Sequence, residues 1–274
     1  MSGGMKSDAP IGVFDSGLGG LTVMREIMQR LPEESIIYFG DTARVPYGSK
    51  SRDTIIRYVE QILNFMQERE VKAIVVACGT ASAYALEAVR HKVHVPIIGV
   101  VRPGVKAAAA ATRNGKVGVI GTEASVKSGL YESLLHKIDP SLSVTSTACP
   151  LFVPLVEEGL WEDEITTLVA KRYLSKIRDA DADTLIMGCT HYPLLQKTIR
   201  SVMGDEVKLV NIGVETAAVL ERTLQEQGIT RKTTDAPPVY RFFSSDAPEK
   251  LCRFGASALQ MQIPEAVKIS IDQY

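Results

Sequence analysis

The feature that most constrains the fold is a pattern that occurs twice: an apolar run, then a cysteine, then threonine close behind. The first run, residues 73–77, leads to Cys78, and the second, residues 184–188, leads to Cys189. Each run is typical of a buried strand, and a helix-like segment follows each cysteine. The pattern predicts an α/β fold with both cysteines at the carboxyl ends of parallel strands, where such folds bind ligands and where a helix N-terminus favours a thiolate.

The chain also contains an internal repeat, although two short matches alone are modest evidence for one. Residues 11–14 resemble residues 117–120, and a polar turn follows each run before its half reaches a strand–cysteine turn. The repeat predicts two related α/β units that direct their cysteines into one cleft from opposite sides.

Strand-like and helix-like segments alternate along the whole chain. The strand-like runs are residues 11–14, 36–39, 73–77, 97–100, 117–120, 184–187, 207–210 and 240–243. The clearest helical stripe consists of Ile55, Val59, Ile62 and Met66. This alternation favours parallel sheets. We therefore expect two pseudo-symmetric parallel-sheet α/β domains with the active site between them: residues 1–98 plus 210–274, and residues 99–209.

Composition excludes several classes of function. The formal net charge is −1, so the chain has no bulk attraction to nucleic acid or to an anionic membrane. No apolar run is long enough to span a bilayer, and the first residues lack the apolar core of a signal peptide. We therefore expect a cytoplasmic protein with neither a nucleic-acid nor a membrane partner.

The four cysteines do not form a metal-binding pattern. No Cys-x-x-Cys spacing occurs, so no metal site is predicted, and disulfides are not expected in a cytosolic chain of 274 residues. Cys149 precedes a proline and Cys252 lies in an amphipathic segment, so both are interpreted as packing residues.

Two turn-rich segments are candidate parts of a site. The glycine-rich turn at residues 15–20 lacks the spacing of a phosphate-binding or dinucleotide-binding loop, but Asp15 suits an ammonium group or a neighbouring thiol. In residues 39–48, the Tyr47 hydroxyl and the Gly48 main chain suit a carboxylate. A structural turn is the alternative for both segments.

The strongest local signal is the run from Cys189 to Pro193, in which His191 stands two residues after the cysteine. An imidazole at that distance can share a proton with the thiol. Glu157 and Glu158 end another apolar run, and one of them, turned inward, can hydrogen-bond an ammonium group or His191. A solvated helix end is the alternative for these two acids.

Together these segments resemble glutamate racemase. The resemblance runs from residues 11–17 through 40–48, 77–83, 96–100, 148–157 and 188–195 to residues 215–217. It implies an isomerase that interconverts L- and D-glutamate without a cofactor and supplies D-glutamate for peptidoglycan. It also implies two pseudo-symmetric α/β domains with the site between them, and commonly a homodimer.

The resemblance also implies roles for individual residues. Racemisation removes the Cα proton from one face and returns a proton to the other, which requires two acid/base groups. Cys78 is assigned to the D-glutamate face and Cys189 to the L-glutamate face, with Asp15 and His191 as their respective helpers. Glu157 matches a third supporting carboxylate, with Glu158 as the alternative. The expected substrate-binding residues are Asp15, Ser16, Tyr47, Gly48, Gly79, Thr80, Thr190 and His191.

One departure keeps alternatives open. The family motif reads Ala-Cys-Asn-Thr, whereas this chain has Gly79 after Cys78. Loss of the asparagine side chain removes a hydrogen bond worth about 1.5–3 kcal/mol of binding. The alternatives are an aspartate-racemase-like enzyme, a weakly active amino-acid-binding paralogue, and a cysteine hydrolase that uses Cys189 and His191 alone.

Overall fold

The structure is a computed structural model that describes residues 7–232 and 236–274. The strands within these ranges are β1 (Ile11–Asp15), β2 (Ile36–Gly40), β3 (Ala73–Val76), β4 (Ile97–Gly99), β5 (Lys116–Gly121), β6 (Ser143–Ala148), β7 (Thr184–Met187), β8 (Lys208–Asn211), β9 (Tyr240–Ser244) and β10 (Ala266–Lys268).

The α-helices within the same ranges are α1 (Gly20–Arg30), α2 (Arg52–Gln67), α3 (Gly79–Tyr84), α4 (Leu86–Val89), α5 (Val101–Ala111), α6 (Glu123–Lys127), α7 (Leu130–Ile138), α8 (Phe152–Glu157), α9 (Glu164–Asp179), α10 (Gln196–Met203), α11 (Ile212–Glu226) and α12 (Pro248–Leu259). No helix in the described part of the chain is both long enough and apolar enough to cross a membrane.

The strands form two sheets, and all the neighbouring strands in both are parallel. The large sheet has the order β10-β9-β2-β1-β3-β4, and the small sheet has the order β6-β5-β7-β8. The segments β2-β1-β3-β4 and β6-β5-β7-β8 follow the same order, as the repeat in the sequence predicts. The fold class, two pseudo-symmetric parallel-sheet α/β domains, is confirmed.

The helix α2 illustrates how the sequence specifies these elements. The Ser51 side chain caps its N-terminus by accepting a hydrogen bond from the Thr54 N–H at 3.3 Å. The predicted apolar stripe, Ile55, Val59, Ile62 and Met66, is fully buried. It joins a hydrophobic cluster with side chains of the large sheet, including Phe14 and Val76.

The last part of the chain returns to the large sheet, where β9 pairs with β2 and β10 pairs with β9. The helix α11 lies against α1 and α5, between the two halves. We propose that residues 1–98 plus 210–274 form one domain and residues 99–209 the other; residues 1–6 and 233–235 of this division lie outside the described residues. Sheet membership shifts the bounds slightly, because Gly99 belongs to β4 of the large sheet, and Val210 and Asn211 belong to β8 of the small sheet. This arrangement brings the carboxyl ends of β1, β3, β5 and β7 towards one cavity.

Candidate active site

A cavity of about 470 Å³ lies between the carboxyl ends of the two sheets. Segments that follow β1, β2, β3, β5, β6 and β7 line it. The predicted site residues on its wall are Ser16, Tyr47, Gly48, Cys78, Gly79, Thr80, Glu157, Glu158, Cys189, Thr190 and His191. Asp15 is buried next to this wall. The fold thus brings together residues that are up to 176 positions apart in the sequence, from Asp15 to His191.

Cys78 is the N-cap residue of α3, and main-chain and hydroxyl groups surround its sulfur. The Ala81 N–H donates to Sγ at 3.4 Å, and the thiol lies 3.4 Å from Ser16 Oγ. Burial, and then the negative charge of Asp15, raise the pKa of Cys78 to about 12, against the smaller opposing effect of these hydrogen bonds. Cys78 is therefore a protonated thiol at neutral pH.

Cys189 has an imidazole as its partner. Its Sγ lies 3.8 Å from His191 Nδ1, and His191 Nε2 lies 3.1 Å from Glu157 Oε1. Burial, the largest single influence, would lower the pKa of His191. Its hydrogen bonds to Cys189 and Glu157, together with the charges of neighbouring groups such as Asp15, outweigh burial and raise the pKa to about 10. His191 is therefore a cation at neutral pH, placed to stabilise negative charge on the sulfur.

Glu157 is the carboxylate that reaches His191. It is the last residue of α8, and its side chain is 43% exposed, whereas the His191 side chain is 8% exposed. Glu158 also lines the cavity, but among the described residues His191 forms its ion pair with Glu157. Of the two acids left open by the sequence, the geometry favours Glu157.

Asp15 is the last residue of β1 and is almost fully buried. The Gly17 N–H donates to Asp15 Oδ2 at 2.9 Å, whereas Oδ1 has no hydrogen-bond partner among the described residues. Burial raises the pKa of Asp15, and the positive charge of His191 opposes that rise. Because the charge of Asp15 disfavours a thiolate at Cys78, Asp15 can assist that residue by accepting a proton but not by stabilising the anion.

The loop after β2 forms another wall of the cavity, and the buried side chain of Asp41 holds it in place. The Tyr47 hydroxyl donates to Asp41 Oδ2 at 2.5 Å, and Arg44 Nε donates to the same oxygen at 2.7 Å. Ser245, which follows β9, donates to Asp41 Oδ1 at 2.8 Å. The sequence predicts that the Tyr47 hydroxyl serves a ligand carboxylate, but here that hydroxyl already has Asp41 as its acceptor.

A cluster of hydroxyl groups joins the loops of the two sheets. Thr80 Oγ1 lies 2.9 Å from Thr122 Oγ1 and 3.2 Å from Ser125 Oγ. Sequence reasoning did not select Thr122 as a site residue, although it lines the cavity. The internal repeat could have indicated Thr122, because this residue directly follows β5 in the same way that Ser16 directly follows β1.

Of the two remaining cysteines, Cys149 lines the cavity and Cys252 does not. Cys149 is fully buried, with Sγ 3.7 Å from the Thr147 carbonyl oxygen, yet it is among the residues that line the cavity. Cys252 is half-buried in α12. Within residues 7–232 and 236–274, no group of three or more His, Cys, Asp or Glu side chains is arranged to hold a metal ion.

The site therefore presents two thiols, one from each sheet, to one cavity that is large enough for a small amino acid. Burial and the charge of Asp15 keep a proton on Cys78, and the His191 ring adjoins the Cys189 sulfur. One group that donates a proton and one that accepts it are the components of two-base proton transfer.

The chain is similar in sequence to known proteins. Residues 11–237 match the model of a family described as Asp/Glu/Hydantoin racemase. A glutamate racemase from Geobacter metallireducens is 47% identical over 262 residues, which are 96% of this chain and 97% of that protein.

Solved structures are also similar. A glutamate racemase from Bacillus anthracis has a TM-score of 0.92 and 40% identity, over 96% of this chain and 98% of that one. A glutamate racemase from Francisella tularensis in complex with D-glutamate has a TM-score of 0.91 and 40% identity, over 98% of this chain and 100% of that one.

Proposed function

The chain belongs to the glutamate racemases of the Asp/Glu/Hydantoin racemase family, and on this premise we propose that it interconverts L- and D-glutamate by two-cysteine acid/base catalysis without a cofactor. The observation that carries the proposal is that Cys78 and Cys189, from different sheets, line the same cavity. A single base cannot readily serve both faces of the Cα atom, and two thiols on opposite walls can.

In the L-to-D direction, the Cys189 thiolate removes the Cα proton of L-glutamate and becomes a thiol. The electron pair of the broken C–H bond delocalises into the adjacent carboxylate. The Cys78 thiol then donates its proton to the opposite face of Cα, which gives D-glutamate and a Cys78 thiolate. The raised pKa of Cys78 and the cationic His191 support this assignment of the starting protonation states.

The groups that hold the substrate are polar and come from both halves. The hydroxyl groups of Ser16, Thr80 and Thr190 and the main chain of Gly48 and Gly79 can bind the two carboxylates. The buried carboxyl group of Asp15, whose Oδ1 has no hydrogen-bond partner among the described residues, can attract the substrate ammonium. Because the Tyr47 hydroxyl donates to Asp41, we assign Tyr47 to shaping the wall.

The biological setting is proposed from the family resemblance. The protein supplies D-glutamate for peptidoglycan, works in the cytoplasm and forms a homodimer. Analytical ultracentrifugation tests the last point, since a monomer at micromolar concentration contradicts it.

The deciding experiment follows the circular dichroism of L-glutamate, then of D-glutamate, in the presence of the purified chain and without added cofactor. We expect the signal of either enantiomer to decay to zero, and we expect Cys78→Ala and Cys189→Ala to abolish the decay. Activity retained in Cys78→Ala contradicts the two-base mechanism and favours chemistry at Cys189 alone.

Two further outcomes assign the protein to the alternatives. Decay with aspartate but not with glutamate indicates a sister specificity. Binding of glutamate without exchange of its Cα hydrogen for deuterium, measured by NMR in D₂O, indicates an amino-acid-binding protein.

A further inference from the structure

The two cysteine turns meet through their main chains. Gly79 follows Cys78, Gly188 precedes Cys189, and both glycines line the cavity. A Cβ atom added to Gly79 would lie 2.4 Å from the Gly188 carbonyl oxygen, a separation that real Cβ atoms essentially never show. The space that any side chain at position 79 needs is thus occupied by the opposite cysteine turn.

The Gly188 carbonyl cannot readily retreat. The Gly188 N–H donates to the Ile120 carbonyl oxygen at 2.8 Å, which extends the pairing of β5 with β7. The buried Tyr131 hydroxyl donates to the Gly188 carbonyl oxygen at 3.4 Å. Gly188 is itself enclosed, since an added Cβ would lie 2.7 Å from the Ile120 oxygen and 2.9 Å from the Tyr131 hydroxyl.

The Gly79 side of the contact is also fixed. The Ser82 N–H donates to the Cys78 carbonyl oxygen at 2.9 Å, and the Ala81 N–H donates to its sulfur. Thr80, the next residue, is tied to the small-sheet side through the Thr122 hydroxyl. Since neither turn can rotate away, a side chain at position 79 has to move the two turns apart by about 1 Å to reach ordinary contact distance.

We propose that Gly79 is a positioning residue that sets the separation of Cys78 and Cys189. This inference rests on the proposed function, because two-base transfer requires both sulfur atoms within reach of one Cα atom. A displacement of 1 Å in such an arrangement costs about 100-fold in rate. Gly79 is then not a ligand lost from the Ala-Cys-Asn-Thr motif but the residue that lets these two turns approach each other.

The kinetic test compares Gly79→Ala and Gly79→Asn with the wild-type chain for both enantiomers. We expect kcat to fall about 100-fold in both directions in both variants, with KM within a few-fold of wild type. The matched control is Gly213→Ala, in the first turn of α11, where the nearest atoms to an added Cβ lie at 3.2–3.5 Å. It should leave kcat unchanged.

A lower KM or a higher kcat in Gly79→Asn would show that asparagine acts there as a ligand and would overturn the proposal. Wild-type kcat in Gly79→Ala would also overturn it. Far-UV circular dichroism and thermal melting establish first that each variant is folded. If Gly79→Asn does not fold, Gly79→Ala carries the comparison.

A second readout does not depend on activity. Crystal structures of the wild-type chain and of Gly79→Ala give the distance between Cys78 Sγ and Cys189 Sγ directly. We expect this distance to increase by about 1 Å, and an unchanged distance would refute the proposal. An increase in a chain that does not racemise glutamate would contradict the proposed function and leave the spacing role of Gly79 standing.

Discussion

Cys78 and Cys189 occupy equivalent positions after β3 and β7, yet their surroundings are opposite in charge. Hydroxyl and main-chain groups contact Cys78, and the charge of Asp15 acts against its thiolate. The cationic ring of His191, paired with Glu157, adjoins Cys189. The repeated fold thus determines where the two thiols lie, whereas the neighbouring side chains give each thiol a different electrostatic environment.

The ratio of kcat/KM for the two enantiomers does not report this asymmetry. Two enantiomers have equal free energies, so kcat/KM must be the same in both directions at every pH. Differences between the two thiols therefore have to be sought in kcat and KM taken separately, in isotope exchange and in thiol reactivity.

The largest expected effect comes from removing either thiol. Cys78→Ala and Cys189→Ala should each lower racemisation by at least about 10³-fold, because one of the two acid/base groups is gone. Each variant should still exchange the Cα hydrogen of one enantiomer in D₂O: L-glutamate in Cys78→Ala and D-glutamate in Cys189→Ala. NMR measures this exchange, and the reverse pattern would show that the two faces have been assigned to the wrong cysteines.

The pH dependence of alkylation compares the thiols in the intact protein. Below a pKa of about 12, the thiolate fraction of Cys78 rises tenfold per pH unit, so alkylation by iodoacetamide should rise about 10³-fold from pH 7 to pH 10. Cys189, beside the His191 cation, should react faster than Cys78 at pH 7. Mass spectrometry of peptides follows both sites, and Cys252, outside the cavity, serves as the internal reference. Equal rates at pH 7 would contradict the asymmetry.

The substitution His191→Asn removes the cation from one side of the comparison. We expect kcat to fall about 100-fold and alkylation of Cys189 at pH 7 to slow, because the thiolate loses its charged hydrogen-bond donor. Alkylation of Cys78 should change little. His136→Asn is the control, since His136 lies in α7 and contacts the Leu142 carbonyl oxygen. Unchanged reactivity of Cys189 would show that His191 does not activate it.

The contrast between the two thiols also shows which features of the fold and the site can be predicted from the sequence. Cys189 and His191 are two residues apart after a buried strand, so their proximity could be read from the chain. The eight predicted strands lie within one residue of the observed ends because each is an apolar run. The sequence did not reveal β6 and β10, which are edge strands with partly or fully exposed side chains and therefore no continuous apolar run.

Contacts between residues that are far apart in the sequence could not be predicted from the sequence alone. Nothing near Gly79 in the chain indicates that the Gly188 carbonyl will lie against it. Likewise, the acceptor of the Tyr47 hydroxyl is Asp41, a residue whose burial depends on the return of β9 and Ser245 to the large sheet. Such details require the packed structure because they join segments that the sequence keeps far apart.

The substitution Asp15→Asn tests the other side of the comparison. Burial is the larger cause of the raised pKa of Cys78, and the charge of Asp15 raises it further. Removal of that charge should therefore lower the pKa and speed alkylation of Cys78 at pH 8. Racemisation should nevertheless fall, because a proton acceptor and a partner for the substrate ammonium are lost. Slower alkylation would show that Asp15 activates the resting thiol.

The smallest expected effect concerns Glu157, which acts on Cys189 only through His191. Because its side chain is 43% exposed, solvent screens the pair, and an ion pair of this kind contributes about 0.2–1 kcal/mol. Glu157→Gln should therefore lower kcat about threefold and slow alkylation of Cys189 by a similar factor, with Cys78 unaffected. Glu158→Gln should change Cys189 reactivity less, and Glu162→Gln, which removes an exposed charge paired with Lys197, should not change it. If Glu158→Gln has the larger effect, the supporting carboxylate is Glu158, and the connection from Glu157 through His191 to Cys189 is wrong.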